Sequence, residues 1–234
     1  MPYRRLPNTD KARMLSLSKA VDQGNALGYF DMPYPYSLHA QAAVLLQQME
    51  QASAEYQVAY EQQVSFAKDY QKKMRMAKLY VSHYIQVLLL SMIRGEIKED
   101  VRELYHLPEN GYAVPEITTE AALIEWGEHI IEGEKKRCEK GASPIYNPSI
   151  AKVQVYYDIF VEARYSKNIL QANTKRAMQR LDELHESVDA LVLEIWNAVE
   201  DHYKDLPLAE RMEACQRFGI NYYYRKGEKK TGDD

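Results

Sequence analysis

The sequence predicts an all-α fold, an elongated antiparallel helical bundle with two long helices and shorter helices at each end, and three observations predict it. Residues 37–94 and 149–206 each run for 58 positions without glycine or proline, so nothing in either interrupts a helical hydrogen-bond ladder. Apolar residues recur through both at alternating spacings of three and four, the mark of a helix with one buried stripe. Hydrophobic residues make up 46% of the 234, enough for a continuous core. Unbroken, either run would reach roughly 85 Å.

Taken in order, Thr9 and Asp10 can cap a first helix to about Ala26, closed by Gly24 and Gly28 and the prolines of Met32-Pro33-Tyr34-Pro35. Ser37 caps the first long helix, whose seam runs from Leu38, Ala42, Leu45 and Met49 through Gln63, Phe66, Tyr70 and Lys73 to Tyr84, Val87 and Ser91. From Met74 a second apolar row (Val81, Ile85, Leu88, Met92) widens the face, so that end calls for more than one covering helix. Gly95 ends the run, and a short helix near 98–106 follows. Residues 107–115 hold two prolines and a glycine and are extended. Thr118 or Thr119 caps the next helix, to about Lys140. Asn147 or Ser149 opens the second long helix, with a seam from Val153, Tyr156 and Phe160 through Lys167, Leu170 and Thr174 to Leu191, Ile195, Ala198 and His202. After Pro207 comes a short helix to about Arg217, then an aromatic segment, 218–225, suited to a strand. The charged end, 226–234, is expected to be disordered.

Shifting the chain by 111 residues lays one seam on the other: Phe66 falls on Ala177, Tyr84 on Ile195, Leu107 on Phe218. Few identities accompany the match, so periodicity carries the expectation of a single domain made of repeats 1–116 and 117–225. Gln63, Lys73, Lys167 and Thr174 are the polar breaks in the seams. An unpartnered lysine buried there would be costly, so a break in a helix or a second subunit is a way to relieve it.

Composition narrows the function classes. Thirty basic against 34 acidic residues give a formal charge of −4, no footprint for a nucleic-acid backbone. No apolar region follows the charged start, and no window approaches a membrane span, so a cytoplasmic protein is expected. Two cysteines, Cys138 and Cys215, supply no disulfide framework and no cysteine zinc site. Nineteen tyrosines against four phenylalanines suggest a core whose rings keep a polar handle.

Chemistry-bearing motifs are sparse. Asp182 with His185 has the three-residue spacing that places two metal ligands on one helix face, but it is single. Glu125, Glu128, His129 and Glu132 form a second acidic group, most simply read as a solvated face. His202 on the seam reads as a hydrogen-bonded core residue rather than a general base. No phosphate-binding glycine loop and no nucleophile motif occurs, and no cofactor is expected. The runs at 72–75 and 135–137 are short and have acidic neighbours. Tyr222, Tyr223, Tyr224 and Arg225, with Tyr112 as a counterpart, form the expected interaction surface, because strands with aromatic faces stack on bases, sugars or a partner's edge.

The strings VSHYIQVLLLSMIRGEI (81–97), EWGEHIIEGE (125–134), PIYNPSIAKVQVYYDIF (144–160) and LEIWNAVE (193–200), with the opening MPYRRLPNTD and the closing NYYYRKGE, resemble a family of uncharacterised helical proteins from Bacteroidetes-type bacteria. The resemblance covers nearly the whole chain. It implies a soluble bacterial protein of unknown function and supplies no catalytic or binding residues.

The function expected is therefore a non-enzymatic structural or protein-interaction scaffold that binds a protein partner or itself. Two other readings stand beside it: a bundle enzyme or binding module with a small-molecule or metal site near His185, Glu128 and Glu132, and nucleic-acid binding through the tyrosine-rich segment.

Overall fold

A computed structural model describes residues 3–224. Its elements in order are β1 (Tyr3–Arg4), α1 (Asp10–Leu27), α2 (Tyr36–Ile93), a 3-10 turn (Glu99–Tyr105), α3 (Glu120–Glu139), α4 (Ile150–His202), α5 (Leu208–Arg217) and β2 (Tyr222–Tyr223). The fold is all-α, with the two long helices packed together. The expected disordered end, 226–234, lies outside the described residues, as does Arg225.

The capping logic holds at both short helices. Thr9 and Thr119 sit at the N-caps of α1 and α3, and each hydroxyl accepts a bond from a backbone N–H three residues on, Ala12 and Ala122. Past the ends of those helices Gly28 and Gly141 take φ of +78° and +88°, where a side chain would be strained. Other boundaries need correction. The α2 helix begins at Tyr36, two residues ahead of the Leu38 start that a Ser37 cap implies, because the Pro35 carbonyl already accepts from the N–H groups of Leu38 and His39, which leaves Ser37 inside the helix. Gly24 does not end α1 but is buried within it: a Cβ there would lie 2.6 Å from the His39 ring and 2.8 Å from the Tyr34 hydroxyl. Both long helices are continuous, 58 and 53 residues, so no local break relieves their polar seam positions.

Two compact units divide the chain. The first takes Met1–Tyr60 and Asn173–Asp234, and the second takes Glu61–Ala172. Each therefore combines a short helix and the start of the long helix after it with the end of the other long helix and the short helical segment that follows.

In the first unit the core gathers Leu17 and Ala20 of α1, Leu38, Ala42 and Met49 of α2, Leu191, Ile195 and Trp196 of α4, and Cys215, Phe218 and Ile220 at the far end of the chain. The start of α2 and the end of α4 run antiparallel: Thr174 donates to the Ala59 carbonyl at 3.2 Å, and Arg180 meets Glu55 at 3.1 Å. The Tyr34 hydroxyl donates to the Ala20 carbonyl at 2.7 Å. Burial pushes its pKa up to about 12.

The core of the second unit is built from Ala77, Val81, Tyr84, Ile85 and Leu88 of α2, Tyr105 and Leu107, Leu123 and Ile130 of α3, and Val153, Phe160 and Ala163 of α4. Tyr70 packs on Phe160 with ring centroids 6.1 Å apart, and Tyr80 stacks on Tyr156 at 4.2 Å, again in antiparallel order. Gly127 and Gly133 let α3 approach its neighbours: a Cβ would come within 2.2 Å of the Tyr157 ring and 2.5 Å of the Tyr105 ring. Residues 107–118 form no strand.

Every seam position named for α2 is buried or half-buried, and so is every one named for α4 except His202. That histidine is exposed at the last residue of its helix, its ring edge-on to Tyr203. The seam ends where the helix does, so the expected core histidine is a surface group.

Candidate functional sites

The tyrosine-rich segment is shorter as a strand than its aromatic run suggests. Only Tyr222 and Tyr223 pair, antiparallel with Arg4 and Tyr3. The Arg5 N–H donates to the Asn221 carbonyl at 2.9 Å, which extends this join between the two ends of the chain. Tyr222 and Arg4 converge on one carboxylate, with Glu200 accepting from the Tyr222 hydroxyl at 2.7 Å and from Arg4 at 3.0 Å. The Tyr224 hydroxyl lies 3.8 Å from the Met212 sulfur. Tyr223 alone of the three is exposed, and its ring lies 5.8 Å from that of Tyr3. Arg225 lies outside the described residues. Tyr112, offered as their counterpart, has its own surroundings. It belongs to the second unit, where its hydroxyl bonds Glu99 and its ring lies 4.8 Å from the Arg102 guanidinium. Arg102 in turn donates to the carbonyls of Pro108 and Gly111, so Tyr112 holds its own loop.

Three of the four polar seam residues have partners. Lys73 pairs with Asp69 one turn back at 2.8 Å and lies 5.8 Å from the Phe66 ring centre. Lys167 reaches Glu120, the first residue of α3, at 2.5 Å and lies 4.6 Å over the Tyr70 ring. Burial pushes the Glu120 pKa up, but Lys167 and its neighbours Tyr70 and Arg164 outweigh it and hold the carboxyl below its ordinary value. Thr174 satisfies its hydroxyl on the Ala59 carbonyl. Gln63 is half-buried.

The metal-like spacing resolves into polar contacts between α1 and α4. His185 lies 2.5 Å from Asp10 and 3.8 Å from Asp182, and Arg13 clasps Asp189 through two bonds of 2.8 Å. These contacts fasten α1 to α4. Glu128 accepts from the Tyr157 hydroxyl and Glu132 pairs with Lys136 at 2.7 Å, both in the second unit, whereas Asp182 and His185 belong to the first. His129 stacks on His106 at 4.2 Å, and burial lowers its pKa, with His106 adding to the effect. Among the described residues no three such side chains gather in a way that could hold a metal ion.

Three features are absent from the sequence reading. The first is a buried charged network. Glu134, wholly buried, accepts from the Tyr105 hydroxyl at 2.5 Å, from Arg137 at 2.8 and 2.9 Å, and from the Ile145 N–H at 3.0 Å. Burial opposes its ionisation, and these donors overcome it, so its pKa is lowered. The i,i+3 spacing of Glu134 and Arg137 was visible, but nothing local said that the pair faces inward.

The second is a row of exposed residues on α2. Met76, Leu79, His83, Gln86, Leu90 and Ile93 recur at spacings of three and four and are all exposed, Leu79 and Ile93 by more than half. Ala77, Val81, Tyr84, Ile85 and Leu88 on the opposite side are buried. This stretch is therefore apolar on both sides, and an 18-residue window of α2 reaches a mean hydropathy of 1.3, with 44% of it buried. By length and composition α2 could cross a membrane, which corrects the expectation that no window approaches a span.

Cavities are the third. One of about 900 Å3 in the second unit lies among the C-terminal ends of α2 and α3. Its lining carries Arg94, Lys98, Arg137 and Lys140 together with Glu96, Asp100 and Glu103, and Arg94 pairs with Glu96 at 2.7 Å. Cations are expected there on other grounds, since helix C-termini carry partial negative charge. A smaller one, about 430 Å3, lies in the first unit beside the join of the chain ends.

No protein-family model, no curated protein and no solved structure matches this chain.

Proposed function

We propose that this protein is a non-enzymatic helical scaffold that associates through the exposed row of α2, with a second copy of the chain as its occupant. The observation that carries this reading is the row itself. A helix that is apolar all round is covered all round in stable proteins, and here one side faces solvent. Its spacing of three and four is that of a coiled-coil seam, so the matching surface is another helix. A second copy supplies one: about a twofold axis between His83 and Gln86, Met76 meets Ile93, Leu79 meets Leu90, and the polar pair meets at the centre.

A row of this length, roughly 27 Å by 10 Å, falls well short of the roughly 800 Å2 per partner of a standard interface. Association through it is accordingly weak and concentration-dependent. Thr9 with Thr119 and Gly28 with Gly141, 110 and 113 residues apart, repeat one plan of capped helix and glycine turn, which supports the further reading of an internal duplication at the level of elements and not in the 111-residue register.

Light scattering over a concentration series tests the reading. The wild type should pass from monomer towards dimer, while Leu79→Glu with Leu90→Glu should stay monomeric with unchanged helix content. A wild type that remains strictly monomeric at about millimolar concentration, where even a weak interface of this size would be populated, sinks the proposal, as does a charged variant that still dimerises.

A further inference from the structure

The 430 Å3 cavity of the first unit is walled by residues 5–8 ahead of α1, by the side of α1 that carries Ala12, Ser16 and Lys19, by Trp196 of α4, and by the turn through Gly219 and Ile220. Its volume is within the range of small-molecule sites and holds roughly two to three benzene rings by comparison with a cavity that takes one. Three observations give the ligand its chemistry.

The charge on the lining is of one sign. Arg5 and Lys19 are its ionisable side chains, both exposed, and neither makes an ion pair among the described residues. No carboxylate lines the cavity, although acidic groups are plentiful elsewhere on the same unit: Glu200 is held by Arg4 and Tyr222, and Asp189 by Arg13.

Ser16 supplies the second observation. It is 5% exposed, and its hydroxyl is buried without a hydrogen-bond partner on the cavity wall. Buried hydroxyls are nearly always paired, so one left open beside a cavity marks a place where an acceptor belongs. Ser16 and Lys19 are three residues apart and share a helix face, so one acceptor group can meet both. Gly219 keeps the turn close: a Cβ there would lie 3.0 Å from the backbone of Ser16.

The rest of the wall is mixed, with the amides of Asn8, Gln216 and Asn221 beside an apolar part. Trp196 is 1% exposed and Ile220 2%, with Leu6 and Leu15 towards the opening. A flat buried ring beside a one-signed polar end is the layout of a site for an amphipathic small molecule.

We infer that this cavity binds a small organic anion with an apolar body, an aryl- or alkyl-carboxylate whose head accepts from the Ser16 hydroxyl and Lys19, with Arg5 at the opening, and whose body packs on Trp196. The site is independent of association through α2, since it lies in the other unit.

Trp196 makes the test direct. Tryptophan occurs twice, so Trp126→Phe leaves Trp196 as the sole tryptophan, read by excitation to the red of the absorption of the nineteen tyrosines. In that background, titration with 3-phenylpropanoate should change Trp196 emission saturably, and 3-phenylpropanamide, the same body without charge, should bind roughly tenfold more weakly. Lys19→Gln and Ser16→Ala should each weaken the acid to a similar degree with helix content unchanged. Lys19 is exposed, so Lys19→Gln decides the matter if Ser16→Ala folds poorly. An absence of saturable change up to about 10 mM, well above the affinities of useful small-molecule sites, overturns the inference. Equal binding of acid and amide overturns the charged head, and inorganic phosphate binding as tightly as the acid overturns the apolar body.

Discussion

Lys167 Nζ lies 2.5 Å from a carboxylate oxygen of Glu120, joining the middle of one long helix to the first residue of α3 across 47 positions of sequence. A lysine on an apolar seam is costly without a partner. Here the partner arrives at the N-terminus of α3, where a carboxylate is favoured by the helix dipole as well as by the ammonium.

Glu120→Gln removes that charge and should cost about 1–2 kcal/mol at neutral pH. Its sign with pH follows from the lowered pKa of the folded state. A carboxyl whose folded value lies below its unfolded value stabilises the protein above the unfolded value, and that contribution fades as pH falls through the folded one. Urea unfolding at neutral and at acid pH should therefore show wild type and variant far apart in the first case and nearly together in the second.

Glu134 and Arg137 carry a larger penalty for separation. Glu134→Ala leaves a guanidinium buried with only Tyr105 and the Ser143 carbonyl for company, and should cost about 3–5 kcal/mol. Tyr105→Phe deletes one donor to the same carboxylate and should cost about 1–3 kcal/mol. Chemical denaturation should rank the two in that order, and a larger loss from Tyr105→Phe would contradict the arrangement.

Alanine at Gly127 should reverse its usual effect on a helix. Propensity alone would favour it by about 1 kcal/mol. The added Cβ, however, would fall 2.2 Å from the Tyr157 ring, and overpacking of this kind costs about 1–3 kcal/mol. A thermal midpoint below that of wild type is the expected readout.

Lys73→Leu should stabilise the second unit by about 0.5–1 kcal/mol, because a half-buried seam position gains apolar contact and gives up an exposed i,i+4 pair and a long cation contact with the Phe66 ring. A raised urea midpoint with association intact fits a packing compromise. Association lost at unchanged stability would instead assign Lys73 to an interface.

Period was the part of this fold most open to sequence reading. The two seams show because burial on one face imposes spacings of three and four whatever the partner is, and the threonine caps show because their chemistry acts over three residues. Partners distant in sequence did not show: Asp69 could be placed beside Lys73 by spacing, but Glu120 could not be placed beside Lys167. Gly24 was misread because glycine both ends helices and permits close approach, and only the rings of His39 and Tyr34 distinguish the two. Met76, Leu79, Leu90 and Ile93 were in view as apolar residues, yet their row merges in sequence with the buried one that it backs. The wall of the smaller cavity draws on the start of the chain, α1, α4 and the segment after α5, an assembly that no local pattern announces.

The division into two units bears on how the chain emerges from the ribosome. Glu61–Ala172 is one uninterrupted stretch, so every residue of that unit has been made before the rest of α4 appears. The other unit draws on both ends of the chain: its first segment is synthesised early and must wait, with Leu17, Leu38 and Met49 uncovered, until Trp196 and Phe218 follow. The pairing of Tyr3 with Tyr223 is thus among the last contacts that can form.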